Sequence, residues 1–261
     1  MPAPTLFISH GSPMLAIEDS PAREFLLSYG REIGKPRAIV VASAHFGTSR
    51  PAVVGDAKPS MIYDFGGFPD ALYHIVYPAP GDPIVAMKVA GLLQAAGLAP
   101  AIVTGRGFDH GAWVPLSLMY PAADVPIVQV AVQPHLGPAH HVALGRALAS
   151  LKDEDIMVIG SGSATHNLHE FFRGQHEPNE EPPAWVAKFD DWVRERVAAG
   201  ATDDLINYRK LAPFARENHP TEEHFLPLHV AIGAAGEDAK GELIHSSYAN
   251  GVLSMDAYRF H

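Results

Sequence analysis

The chain has 261 residues, 47% hydrophobic and 18% charged, with a formal net charge of −10 and no cysteine. That length and balance suit one α/β domain, spanning 1–261, with a sizeable core. The acidic excess argues against a nucleic-acid partner, which needs a basic patch, and no stretch approaches the roughly 18 uninterrupted apolar residues of a membrane helix. The N-terminal MPAPTLFISHGSPM lacks the basic start and apolar centre of a signal peptide. Without cysteine there is no thiolate to ligate or attack, and a reducing, cytoplasmic location is expected. The unusual count is histidine, at 15. Histidine without cysteine points to imidazole ligation or acid–base work.

In chain order, TLFIS (5–9) reads as a buried strand with His10 immediately after it, and RAIVVAS (37–43) as a second with His45 two residues beyond. YDFGGFP (63–69) places Tyr63 and Phe65 around a Gly-Gly pair, as a flat apolar wall for an aromatic substrate or as a surface turn of packed rings. DPIVAMKVAGLLQAAGL (82–98) is an amphipathic helix stopped by glycine and proline. RGFDHGAWVPL (106–116) puts His110 at the start of an apolar helix. Asp109 beside it either orients it or binds substrate, or is the helix N-cap; Arg106 is a weak candidate for an anionic group.

PIVQVAV (126–132) is a third strand, GPAHHVALGRALASL (137–151) a helix with His140 and His141 on its surface, and DIMVIGS (155–161) a fourth strand leading to His166. The polar RGQHEPNEEPP (173–183) is the best candidate for a mobile segment, ahead of the helix WVAKFDDWVRERVAA (185–199). In HPTEEHFLPL (219–228), Thr221 reads as an N-cap with two acids in the first turn, so His224 falls in the opening turn of a late helix. VLSMDAYRF (252–260) looks like an edge or hairpin strand. Together these predict a central, mainly parallel or mixed sheet with helices on both faces.

In such sheets the ligand site lies at the carboxyl ends of the strands. His10, His45 and His166 each follow a strand at that end, so parallel neighbouring strands would bring them together. His135, His140, His141, His176, His229, His245 and His261 take the plainer reading of solvated or capping residues, and His74 is left open with a lean to the same reading.

FISHGSPM, ASAHF, YDFGGFP, YPAPGDP, DHGAWVPL, GSGSATHNL, HPTEEHFLPL and SMDAYRF, in that order over nearly the whole chain, resemble the class III extradiol ring-cleavage dioxygenases, in the branch named for 4,5-DOPA dioxygenase. The resemblance implies a small aromatic diol and O2 as substrates, opened at a mononuclear non-haem Fe(II) centre. It implies His10, His45 and His224 as metal ligands, His166 as the acid–base or a fourth ligand, and His110 as a second active-site histidine. The protocatechuate-cleaving branch uses a carboxylate as third ligand; here that position reads as His224, with Glu222 and Glu223 as the carboxylates nearby. Three neutral imidazoles also suit Zn(II), so zinc in isolated protein is compatible with an iron enzyme. A zinc hydrolase on the same residues, with Glu222 or Glu223 as base, and a non-enzymatic metal-binding scaffold are the alternatives. No HExxH motif or nucleophile elbow favours the hydrolase. Neither the identity of the catechol nor homo-oligomer formation is legible.

Overall fold

The computed structural model describes residues 2–174 and 180–261. The strands are β1 (Thr5–Ser9), β2 (Ala38–Gly47), β3 (Ala52–Val54), β4 (Ala101–Val103), β5 (Ile127–Val132), β6 (Ile156–Gly162), β7 (Gly241–His245), β8 (Tyr248–Ala249), β9 (Leu253–Ser254) and β10 (Ala257–Phe260). The helices are α1 (Pro21–Ile33), α2 (Asp70–Tyr73), α3 (Pro83–Ala95), α4 (His110–Met119), α5 (Gly137–Leu148), α6 (Leu168–Arg173), α7 (Ala184–Ala199), α8 (Thr202–Ile206), α9 (Tyr208–Leu211), α10 (Ala215–Asn218) and α11 (Leu226–Ala235).

Eight strands form one sheet in the order β4-β3-β5-β2-β6-β1-β10-β7, with β8 and β9 as a separate ribbon. The centre, β5-β2-β6-β1, is parallel. β10 runs antiparallel to β1, and β3 antiparallel to β5, so the sheet is mixed. The central strands are apolar on both sides because both sides are covered. Leu6, Ile8, Ile39, Val41, Met157 and Ile159 pack with α1 and α4. Ala38, Val40, Val128, Val130, Ile156 and Val158 point the other way, against α3, α5 and α11. This period-2 division explains the continuous apolar runs. Each fully buried branched side chain contributes roughly 1.5–3 kcal/mol.

Four features differ from the sequence expectations. β2 does not stop at Ser43 but runs to Gly47, and its pairing with β5 slips between Ala42 and Gly47. His45 therefore sits inside an irregular strand end, a device that re-aims a side chain. Of the two readings of the C-terminal segment the edge fails, since β10 lies between β1 and β7 and β7 takes the edge, while the hairpin is present where β9 pairs antiparallel with β8. α11 begins at Leu226, not after Thr221. The Thr221 hydroxyl donates to Glu223 Oε1 (2.8 Å) instead of capping a helix, and residues 222–225 form a turn closed by Phe225 N–H donating to Glu222 O. His141 is buried, not on the surface: its Nε2 accepts from Gln133 N–H at 3.0 Å. Part of the polar segment 173–183, with His176, lies outside the described residues. Among the described residues no helix is long and apolar enough to cross a membrane.

Candidate active site

Because β1, β6 and β2 are parallel neighbours, their carboxyl ends lie side by side. His10 follows β1 directly and is 1% exposed. His45 comes from the irregular end of β2. His224 comes from the turn before α11, which rests on β6 at two glycines. A Cβ on Gly162 would stand 2.1 Å from His224 O, and one on Gly160 2.0 Å from Pro227 O. The Ser163 N–H donates to His224 O (2.8 Å), tying the turn to the strand end.

The three rings converge by their Nε2 atoms. His10 Nε2 lies 3.1 Å from His45 Nε2, and His224 Nε2 lies 3.2 Å from His45 Nε2. Each Nδ1 faces an acceptor. His10 Nδ1 is 3.0 Å from Ser161 Oγ, whose own proton goes to Gly111 O, so the hydroxyl accepts from the imidazole. His224 Nδ1 is 3.2 Å from Glu223 Oε1, and His45 Nδ1 is 3.5 Å from Asp64 Oδ2. These partners place the protons on Nδ1 and leave lone pairs on Nε2, the second sphere that orients metal-binding histidines. Burial, then the neighbouring imidazoles, pushes His10 and His224 well below the usual imidazole range. Burial, reinforced by His110, holds His45 at about 4. All three are therefore neutral near pH 7.

Three lone pairs facing one another at this range repel unless a cation lies between them. The spacing suits one: metal–nitrogen bonds of about 2.0–2.1 Å place neighbouring ligand atoms about 3.0–3.4 Å apart. The residues present thus fit a single metal ion.

His110 and His166 flank the three. The His110 ring centroid is 3.9 Å from that of His45, and Asp64 Oδ1 holds both its Nδ1 (3.0 Å) and its backbone N–H (2.9 Å). Burial alone would raise the Asp64 pKa, but the His110 contacts outweigh it and hold the carboxyl at about 2. The His166 ring stacks on His224 at 3.5 Å and 7°, and burial, partly opposed by Glu223, lowers its pKa to about 4. Potential ligand atoms form two adjoining sets, His10–His45–His110 and His166–Glu223–His224; the His45–His224 contact joins them. Glu223 faces the Nδ1 side of His224. Glu222 is turned away, accepting from Tyr208 Oη and Arg209 Nε, each at 3.0 Å.

The histidines form the floor of a cavity of about 510 Å³. Phe65 lines it, edge-on to His110 at 5.8 Å. Tyr63 and Asp109 do not. The Tyr63 hydroxyl donates to Ile75 O (2.7 Å) and its ring packs among core aromatics. Asp109 is fully buried behind the floor as the N-cap of α4, accepting from Ser43 Oγ (2.6 Å), Arg106 Nη2 (2.8 Å) and Gln129 Nε2 (2.9 Å). With the Ala112 N–H (3.2 Å) as fourth donor, its carboxylate is met by protein, so it braces the site from beneath. Sequence reasoning missed Asp64, although an acid between Tyr63 and Phe65 in an apolar tract was a signal. It also missed Ser161, hidden within a strand run. A second, polar cavity of about 360 Å³ between α5, α8 and α11 contains none of these histidines.

Comparison with known proteins covers the whole of this arrangement. The family model for the catalytic LigB subunit of aromatic ring-opening dioxygenase matches residues 4–261. A 4,5-DOPA dioxygenase extradiol from Beta vulgaris is 47% identical over 98% of this chain and 96% of its own length. A protein of the same name from Escherichia coli (strain K12) is 40% identical over 88% and 84%. The crystal structure of an uncharacterized Escherichia coli K12 protein superposes with a TM-score of 0.79 at 32% identity, over 98% of this chain and 99% of that one.

Proposed function

This chain belongs to the LigB family of aromatic ring-opening dioxygenases, and on that footing we propose that it opens catechol-type rings, DOPA-like or other, with Fe(II) held by His10, His45 and His224. It is an extradiol ring-cleavage dioxygenase, a metal-dependent oxidoreductase acting on an aromatic substrate and O2. The observation that carries the metal assignment is the convergence of three Nε2 atoms, with the Nδ1 of His10 and His224 hydrogen-bonded to acceptors and that of His45 facing Asp64 at 3.5 Å.

Bound iron supplies the redox path between ring and O2 and favours the ionised diol. The chain's own residues do the rest. The cavity floor orients the diol toward the histidines, with Phe65 against the ring plane or edge. His110, fixed by Asp64 through Nδ1, offers Nε2 to a diol oxygen. His166 is neutral because of its burial, so it is in the form that accepts a proton from the diol and returns one as the ring opens. Its face-on stack against His224 sets it beside the metal site and supports a proton-transfer role over that of a fourth ligand. The apolar walls exclude water from the reacting oxygens.

The test is anaerobic reconstitution with Fe(II), then a catechol panel followed by oxygen uptake and by the yellow absorbance of a ring-opened product. Catechol-dependent uptake supports the proposal; iron-loaded protein inert across the panel would sink it. Replacing His166 with Ala should keep the metal and lower turnover by roughly 10²–10⁴-fold. Loss of metal in that variant would make His166 a ligand instead.

A further inference from the structure

The cavity that holds the histidines has a wall of one charge. A ribbon of chain from His10 to Ala22 follows it outward, from His10, 1% exposed at the floor, to Glu18 and Asp19, exposed at the rim. The charged residues on the wall are Glu18, Asp19 and Asp64, all acidic; among the described residues no lysine or arginine lines it. The remainder is largely apolar and includes Met14, Phe171 and Phe172.

Arginines of the surrounding elements have partners of their own, and Arg173, next to Phe172, faces Glu170 at 3.7 Å. Arg106 lies behind the floor, bonded to Asp109 and to His45 O, with its guanidinium 4.1 Å above the Phe46 ring. Arg194 sits behind Tyr248, held by Asp190 and Asp256. Arg23 faces Asp19 at 3.5 Å and is not on the wall. Residues 175–179, outside the described part, include no lysine or arginine. Of the two rim acids, Asp19 has Arg23 opposite it, whereas Glu18 has no ion-pair partner among the described residues.

A catechol with its diol on the histidine floor must direct its ring substituent outward along this wall. We propose that the site sorts catechols by the charge of that substituent: amine-bearing ones are favoured, apolar ones accepted and carboxylate-bearing ones disfavoured, with Glu18 receiving the ammonium. This rests on the catechol-dioxygenase reading above. A carboxylate in this channel loses water without gaining a cationic partner, and meets like charge at the rim. An ammonium crosses the apolar middle on its methylene stem and gains a charge-assisted hydrogen bond at the mouth. A zwitterionic side chain would sit with its ammonium toward Glu18 and its carboxylate in solvent.

The test uses three catechols of matched size, bearing 2-aminoethyl, propyl or carboxymethyl at position 4. Their binding to metal-loaded protein is measured by calorimetry under anaerobic conditions, and their turnover by oxygen uptake. The expected order of affinity is aminoethyl, propyl, carboxymethyl. The ratio of first to last should be roughly 3–10-fold for a partly exposed pair and shrink as salt is raised. Glu18→Gln should narrow that ratio and Glu18→Lys should invert it, while Asp19→Asn should change it less. Equal affinities, a preference for the carboxymethyl compound, no binding of the aminoethyl compound, or a ratio indifferent to Glu18 would each overturn the proposal. The affinity order with no ring opening would overturn the dioxygenase reading and leave the charge selection standing.

Discussion

Two buried polar clusters face different fates in this molecule. One is the histidine floor; the other is centred on Arg194 of α7. The Arg194 guanidinium reaches Asp256 (Nε to Oδ2, 2.7 Å) and Asp190 (Nη2 to Oδ2, 2.7 Å), both carboxylates being fully buried. Tyr248 donates to Asp190 at 2.6 Å and Tyr258 to Asp256 at 2.9 Å. Apart from Asp190 Oδ1, which has no partner, this cluster is closed: it contains both the anions and the cation they need. In the histidine cluster the Nδ1 atoms of His10, His110 and His224 have acceptors within hydrogen-bond distance and that of His45 faces Asp64 at 3.5 Å, while the Nε2 atoms of His10 and His224 both face that of His45. A buried polar group must be paired or it costs free energy. The arginine cluster meets that rule from within the chain; the histidine cluster meets it only with a cation from outside. That difference separates a brace from a site.

The comparison can be broken most severely at a proposed ligand. His45→Ala removes the nitrogen that both other Nε2 atoms approach, and should leave bound metal near background with the fold intact by circular dichroism. Retention of metal at the unaltered level would mean the three nitrogens are not its ligands. The converse is expected at the arginine. Arg194→Met should lower stability by about 3–5 kcal/mol, because two buried carboxylates lose their cation, while metal content in the surviving folded protein stays as before. Denaturant unfolding and metal analysis on one preparation read both. Asp64→Asn is milder. It keeps the shape but weakens the acceptor for His110 and His45, so metal affinity or turnover should fall about 10–100-fold; an unchanged variant would reduce Asp64 to packing.

The smallest effect concerns pH, and the clusters pull in opposite directions. His45 has its pKa lowered from 6.5 to about 4 by burial, so in metal-free protein its contribution is present above pH 6.5 and lost as pH falls toward 4. By pH 6 the loss from one such group is under about 1 kcal/mol. Asp190 is raised, first by burial and then by Asp256, so its contribution is greatest in acid and is lost as pH rises. Thermal melts of metal-free protein across pH 4–8 should therefore steepen on the acid side when Asp190 is replaced by Asn and flatten when His45 is replaced by Gln. The reverse pattern would mean these groups are not buried as described.

Much of this was legible from local chemistry. The four central strands, the three long helices at 83–95, 137–148 and 184–199, and the placement of His10 and His166 after strands all follow from apolar runs and stop signals, which are properties of contiguous residues. What escaped was set by distant partners. Asp109 has the chemistry of a site residue, and only the fold shows that Ser43, Arg106 and Gln129 consume it. His141 follows another histidine on a helix, and its burial depends on the Gln133 backbone. Thr221 carries the right side chain for a cap, but the helix starts later, where the chain meets β6. His10, His45 and His224 were brought together by family resemblance; strand periodicity alone offered His166 in the place of His224.

The contact between that turn and β6 has a consequence for how the centre can change over time. His224 is placed by what Gly160 and Gly162 lack: any side chain there would collide with the carbonyls of Pro227 or His224. One methyl group on the sheet would lift the third nitrogen while leaving every polar residue of the site unaltered. The centre therefore has two separate modes of drift, loss of a ligand and loss of its vertical position. A lineage, or an engineer, could relax its metal preference by the second while all five histidines of the cavity floor still read as intact.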